Sequence, residues 1–248
     1  MRILHITAGS GNFHCGVTLR DHSLIQELRR LGHEVWIQPV YLPLVLDVRE
    51  EDPHLLPVLP GGIRLYLEQV LPLARKLPPG LLRWLDSPSL LRLASASSHM
   101  TRARDLGAMT MGALESTRGD QGRVWKELIE RCRTLPKLDL ISISPALLIG
   151  LARPLREAFP VTRIVVHFQG EDVFIDSLEE PFRSNIWEEI RLIEPDVDSF
   201  LTPSEFYADR MRDQLRFPED KMKVLPNGID PGVFHPAPER PSSRVIGF

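Results

Sequence analysis

The sequence predicts an α/β chain: a Rossmann-like, doubly wound, mostly parallel sheet with helices on both faces. Three observations carry this expectation. Short apolar or β-branched runs alternate along the chain with segments whose apolar residues recur at helical spacing. The first run, 2–7 (RILHIT), is separated from a second at 34–39 (EVWIQP) by a Gly-rich loop and one helical segment, enough chain for a parallel crossover. The run at 162–168 (TRIVVHF) is nearly continuous in apolar character, as expected of a central strand buried on both faces.

In chain order, the loop 8–16 follows the first strand, and a helix from Val17 carries Val17, Leu24, Ile25, Leu28 and Leu31 on its apolar face. Gly32 is placed to end it. Prolines punctuate residues 41–137, where only 63–77, 81–93 and 124–135 read as helical. A strand at 138–144 (LDLISIS) precedes a helix at 145–159, with Ser144 as cap, Pro145 in the first helical position and Pro154 expected to kink it or end it early. After the 162–168 strand, the loop 169–172 leads to a helix at 181–193 and a strand at 197–201. A helix at 203–215 and a strand at 221–225 complete the series. Thr202-Pro203-Ser204-Glu205 reads as a capping box with Pro at the first helical position.

Composition narrows the function. The 248 residues carry 30 Lys and Arg against 33 Asp and Glu, a formal charge of −3, so the chain lacks the basic surplus of a nucleic-acid binder. The two cysteines, Cys15 and Cys132, stand in unrelated contexts without Cys-x-x-Cys or Cys/His spacing, so neither a disulfide framework nor a structural metal is indicated. The first apolar run is too short for a signal-peptide core or a membrane span. A reducing, cytoplasmic location is expected, with a place at the inner face of the membrane left open. Proline is over-represented at 22 residues, nearly twice the usual ~5%.

In doubly wound sheets ligands sit beyond the C-terminal strand ends. That makes candidates of the loops 8–16 and 169–172, the 202–205 turn with Ser204, and Asn227-Gly228. Small residues in the first loop, Gly9, Gly11, Cys15 and Gly16, let backbone N–H groups approach a phosphate at a helix N-terminus, or merely make the turn. The dinucleotide fingerprint fails, because His14 stands three after Gly11 and no acidic residue ends the second strand.

In His167-Phe168-Gln169-Gly170-Glu171-Asp172, His167 and Gln169 share a face while the chain is extended. Gly170 permits close ligand approach, and Glu171 and Asp172 are acceptors suited to sugar hydroxyls. The alternative is a strand-end turn whose carboxylates cap the next segment. Residues 171–198 carry ten acidic and two basic residues, read as a solvated face or an interaction surface, with Glu188 and Arg191 a helical pair. Zincin, nucleophile-elbow and P-loop motifs do not occur.

Together, RILHIT with its Gly-rich loop, CGVTLRDHSLIQELRRLGHEV, LDLISIS, VVHFQGEDVF, TPSEFYADRM and KVLPNGIDPGVFHP resemble the N-terminal, acceptor-side domain of a GT-B glycosyltransferase of family 4. The resemblance implies a retaining transfer of sugar from a nucleotide-sugar donor to an acceptor glycan, lipid or small molecule, with no cofactor and no obligatory metal. Partners are then the nucleotide sugar and the acceptor sugar or lipid, with peripheral membrane association left open.

On this resemblance Cys15-Gly16 matches a Gly-Gly turn that approaches the donor phosphate, and Arg20 falls where many relatives carry His. Gln169-Gly170 matches a His-Gly pair, which puts Gln169 and Asp172 at the acceptor-side catalytic position. Gly11, His167, Glu171, Ser204, Asn227 and Gly228 fall around the substrates. Residues 1–230 form the domain, and 231–248 read as an interdomain linker leading to a C-terminal donor-binding domain. The basic pair and the glutamates that hold the donor belong to that domain, so these 248 residues are expected not to turn over alone. A sugar-binding or partner-binding module that has kept the fold and lost transfer is the alternative.

Overall fold

The computed structural model describes residues 1–9, 16–42, 44, 52–64, 103–115 and 119–228. The expected helices at 81–93 and most of 63–77, the linker 231–248, Gly11 and Cys15 lie outside the described residues.

Six strands, β1 (Arg2–Thr7), β2 (Glu34–Pro39), β3 (Leu140–Ser144), β4 (Arg163–His167), β5 (Ser199–Thr202) and β6 (Met222–Val224), form one all-parallel sheet in the order β2-β1-β3-β4-β5-β6. Beside β2, Leu55 pairs in parallel with Ile37, through Ile37 N–H to His54 O and Leu56 N–H to Ile37 O at 2.9 Å each. Counting this short segment as a strand turns the order into 3-2-1-4-5-6-7, the winding of Rossmann-type sheets. The α/β, Rossmann-like expectation holds. The winding reverses between β1 and β3, the point at which doubly wound sheets form a ligand crevice beyond the C-terminal strand ends.

The strand alternation sorts side chains onto two faces. Leu4, Ile6, Ile141, Ile143, Ile164 and Val166 point to one side and are all fully buried. The helices α3 (Gly119–Thr134), α4 (Ala152–Ala158), α6 (Phe182–Ile193) and α7 (Glu205–Leu215) pack there in one continuous apolar core with Trp125, Phe200 and Met211. Cys132 belongs to it as a free thiol, its pKa pushed up to about 12 by burial. An α2 helix (Ala103–Leu114) and the short α5 (Glu171–Asp176) complete the described set of α-helices longer than one turn.

On the other side, α1 (Gly16–Arg30) crosses from β1 to β2 over a small apolar cluster of Ile3, Ile25, Val35 and Ile37. Its buried positions are Thr18, Asp21 and Ile25, one helical face, with Leu28 packed beside them. The expected stripe through Leu31 is thus corrected: Leu31 is exposed, and two of the three buried positions are polar.

β1 and β2 match their expected bounds, and Gly32 takes φ +85° just past α1, as a helix-ending glycine does. Other expectations shift. The segment after β3 begins with a cis Ser144–Pro145 bond and a 3₁₀ stretch, Ala146–Leu151, before α4, so Ser144 caps nothing. Pro154 sits in the first turn of α4, where a missing N–H costs little, and the helix runs on past it to Ala158. The 203 helix starts at Glu205, and its cap is Ser204, whose hydroxyl accepts from Tyr207 N–H at 3.2 Å, rather than Thr202. The expected loop at 169–172 contains the start of α5, and α2 had no periodic signal strong enough to be read.

The acidic stretch 171–198 is not simply a solvated face. Asp172 pairs with Arg210, Asp196 with Arg153, Asp198 with Arg156 and Glu194 with Lys221, all cations from other elements. Arg191 turns from Glu188 to the C-terminal carbonyls of α7, donating to Gln214 O and Leu215 O.

Candidate functional site: the β1–β3 crevice

Register alone assembles the site. His5 lies beside Ser142, and Thr7 beside Ser144, on neighbouring strands β1 and β3, while Ser142 lies beside Val165 on β4, two residues before His167. Period two then puts His5, Ser142, Ser144 and His167 on the face toward α1. From α1, Arg20 and Asp21 complete a closed ring. Arg20 Nη1 contacts Asp21 Oδ1 at 2.9 Å and His167 Nδ1 at 2.7 Å. His167 Nε2 meets Ser142 Oγ at 2.8 Å, and Ser142 Oγ meets His5 Nδ1 at 3.0 Å. His5 Nε2 returns to Asp21 Oδ2 at 3.3 Å, close but without hydrogen-bond alignment.

The hydrogens in this ring have one consistent direction. A guanidinium has no lone pair, so Arg20 donates to His167 Nδ1, and the neutral imidazole carries its hydrogen on Nε2. That hydrogen goes to Ser142 Oγ, and the Ser142 hydroxyl donates to His5 Nδ1. His5 therefore carries a hydrogen on Nε2. Burial, then the Arg20 charge, lower the His167 pKa to about 3. Burial alone would raise that of Asp21, but its interactions with His5, Ser144 and Arg20 outweigh this and hold it well below the usual carboxylate range.

Two further residues hang on the ring. The Gln169 amide donates to Asp21 Oδ1 at 3.1 Å and to Ser144 Oγ at 2.7 Å, which leaves its carbonyl oxygen without a partner among the described residues. Arg20 Nε donates to Asn227 Oδ1 at 3.4 Å, and Arg20 Nη2 likewise has no partner among the described residues. Arg20, Gln169 and Asn227 thus stand together at the crevice, with an acceptor and amide and guanidinium donors still to be used.

The other expected residues fall differently. His167 is 2% exposed with both nitrogens engaged, so it holds Arg20 and is unsuited to meeting a substrate. Glu171 is buried, with its carboxylate accepting Ala146 N–H at 2.8 Å and Gln169 N–H at 2.6 Å. Burial raises its pKa against those two bonds. It acts as a clamp between the segments after β3 and β4, and it does not cap the next segment, since α5 has no side-chain cap. Asp172 is buried and faces Arg210 at 2.6 Å in a groove between α5 and α7. Ser204 spends its hydroxyl on the α7 cap.

Gly170 takes φ +106° at the start of α5, a conformation that favours glycine, and donates its N–H to the Tyr207 hydroxyl at 3.1 Å. Side chains built at Gly16, Gly170 or Gly228 would meet nothing within 4 Å, so all three leave open space. Gly9 is different: with φ +88°, its added Cβ would sit 1.8 Å from Leu42 O, so internal packing demands this glycine. Among the described residues no group of three or more His, Cys, Asp or Glu could hold a metal ion, and no helix is long and apolar enough to cross a membrane.

Asp21, His5, Ser142 and Ser144 escaped the sequence reading. The available signal was the Ile-Ser alternation in β3, which contradicts a strand buried in apolar surroundings on both faces, together with a lone His in β1.

Residues 114–233 match the family described as Glycosyltransferase Family 4. The match covers just under half of the chain, from the end of α2 through β6, and includes Gln169 and Asn227 but not Arg20 or Asp21. It supports a glycosyltransferase domain of this family's kind, with sugar substrates in general. No curated protein matches the chain.

Proposed function

We propose that the β1–β3 crevice is the acceptor side of a glycosyl transfer from a nucleotide sugar to an acceptor hydroxyl. The observation that carries this is the trio Arg20, Gln169 and Asn227, three polar side chains with unspent hydrogen-bonding atoms. They are held at the winding reversal of the sheet by a buried ring. A hydroxyl needs one donor and one acceptor, and Arg20 Nη2 and the Gln169 carbonyl oxygen provide them without a net charge, because Asp21 balances Arg20. The family match over residues 114–233 supports the same chemistry.

In this reading the acceptor oxygen bonds to the anomeric carbon as the bond from that carbon to the donor phosphate breaks. Among the described residues no side chain at the crevice is a ready proton acceptor near neutral pH. Gln169 does not titrate, and the His167 lone pair lies against Arg20. The acceptor proton therefore passes to the departing phosphate, and retention of anomeric configuration follows from approach on that same face. The open space at Gly16, at the start of α1, suits the backbone approach of a phosphate. In this reading the donor sugar is held by groups other than the crevice trio.

The lack of a protein base also favours a second reading, a sugar-binding module without transfer. A thermal-shift screen with nucleotide sugars and neutral sugars, on the 248-residue chain and on a fusion to a donor-binding domain, separates the readings. Stabilisation by a sugar ligand that is lost in Gln169→Ala supports the site, and turnover by the fusion supports transfer. No stabilisation by any sugar rejects both.

A further inference from the structure

Between β1 and α1, behind the ring, lies a small cavity of about 10 Å³ bounded by His5, Asp21, His22, the hydroxyl-bearing Thr7 and Thr18, and the apolar Ile25, Ile37 and Leu44. Three buried side-chain atoms with no hydrogen-bond partner among the described residues, His5 Nε2, Asp21 Oδ2 and His22 Nδ1, belong to residues lining it. His5 and Asp21 are only 2% and 3% exposed, so bulk solvent does not serve them. Leaving such atoms unpaired is costly, and all three belong to residues around one space.

The ring's hydrogen direction makes His5 Nε2–H a donor toward this space. Asp21 Oδ2 is an acceptor there. Burial, followed by the nearby Arg29 charge, lowers the His22 pKa and favours a neutral ring, with Asp52 opposing; in the tautomer with its hydrogen on Nε2, Nδ1 is the second acceptor. One donor and two acceptors call for an occupant that accepts once and donates twice. A metal cation would meet the His5 N–H. An anion would meet the Asp21 carboxylate. Ammonium has no lone pair for His5, and a ligand hydroxyl donates only once and has no room for its carbon.

We propose that this cavity is a specific binding site for a single buried water, which accepts from His5 Nε2–H and donates to Asp21 Oδ2 and His22 Nδ1. The volume is at the threshold for one water, and three hydrogen bonds is the usual number for a buried one. With it, both Asp21 oxygens are engaged: Oδ1 by Arg20 and Gln169, Oδ2 by the water. The site ties α1 to β1 through hydrogen bonds where apolar contact is limited to Ile25 and its neighbours. It does not depend on what the crevice binds.

The test is NMR on the 248-residue chain with ¹⁵N-labelled histidine. Long-range ¹H–¹⁵N spectra at pH 7 are expected to show His5 protonated at Nε2 and His22 unprotonated at Nδ1. The His5 Hε2 proton is expected to give a cross-relaxation peak to a water that stays bound for longer than the tumbling of the protein. In His22→Leu that peak is expected to be lost or weakened at least several-fold, while the His167 Nε2–H tautomer persists as evidence that the ring still folds. A His5 without hydrogen on Nε2, a His22 with hydrogen on Nδ1, or no water peak at His5 in the unsubstituted chain overturns the proposal.

Discussion

In the same three strands, β1, β3 and β4, one face presents Leu4, Ile6, Ile141, Ile143, Ile164 and Val166 to a large apolar core, while the other presents His5, Ser142, Ser144 and His167 to α1. Both faces are buried at these positions, so burial does not distinguish them. What differs is how the contacts constrain geometry. Apolar packing is non-directional and tolerates small shifts. The ring instead needs each nitrogen and oxygen within hydrogen-bond reach, and it leaves Arg20 and Gln169 in one arrangement at the crevice. The apolar face supplies stability; the polar face spends some of it to position a site.

The largest effect expected of this contrast is on the apolar side. Trp125→Ala should lower unfolding free energy by about 3–5 kcal/mol, read from urea denaturation, while the crevice keeps its ligand in the population that remains folded. On the polar side, His167→Leu keeps a buried apolar shape but strips partners from Arg20 and Ser142. A loss of about 1–3 kcal/mol is expected, together with a larger proportional loss of sugar binding than Trp125→Ala causes. Equal binding losses in the two variants would erase the distinction between the faces.

The faces should also separate with pH. The folded His167 pKa is about 3 against an ordinary 6.5, so between these values the unfolded chain takes up a proton that the folded chain refuses. Stability therefore falls as pH falls through this window. Below the ordinary Asp21 value of 3.8, its depressed folded pKa adds a second loss, because the unfolded carboxyl protonates first. His167→Leu should flatten the slope between pH 6.5 and about 3 in pH-dependent denaturation, and Trp125→Ala should leave it unchanged.

A smaller effect is expected at the α7 cap. Ser204→Ala removes the acceptor for Tyr207 N–H and should cost about 1 kcal/mol without touching sugar binding. Smallest of all, Arg30→Ala on exposed α1 should leave the denaturation midpoint where it was, since its pair with Glu27 is fully solvated.

The same contrast explains what could be read from the sequence. The apolar face was legible because its signal is local: β1 and β2 have the expected bounds, and the strand–helix alternation announces a parallel sheet. Gln169 was legible as a candidate because it follows the end of a strand, and Arg20 because the family resemblance puts it where many relatives carry His. Asp21 was not, because its partners His5, Ser144 and Gln169 come from three strands or strand ends far apart in the chain, and helical periodicity favoured Leu24 and Leu31 for the buried stripe. Glu171 and Asp172 were read toward sugar for a related reason. Besides the local Gln169 N–H, their partners Ala146 N–H and Arg210 lie 25 and 38 residues away, beyond any local pattern. The masking of charge in 171–198 by Arg153, Arg156, Arg210 and Lys221 was hidden in the same way.

The most direct test of the account is a titration of nucleotide sugars and neutral sugars into the ¹⁵N-labelled 248-residue chain, followed by backbone and side-chain NMR. The account predicts that a sugar-bearing ligand perturbs the Arg20 Nε–H, the Gln169 and Asn227 side-chain amides and the Gly170 backbone N–H together, and that Asp21→Asn abolishes this joint response while the chain remains folded. A sugar that instead perturbs the α5–α7 groove around Asp172 and Arg210 and leaves Arg20 and Gln169 unmoved would contradict it.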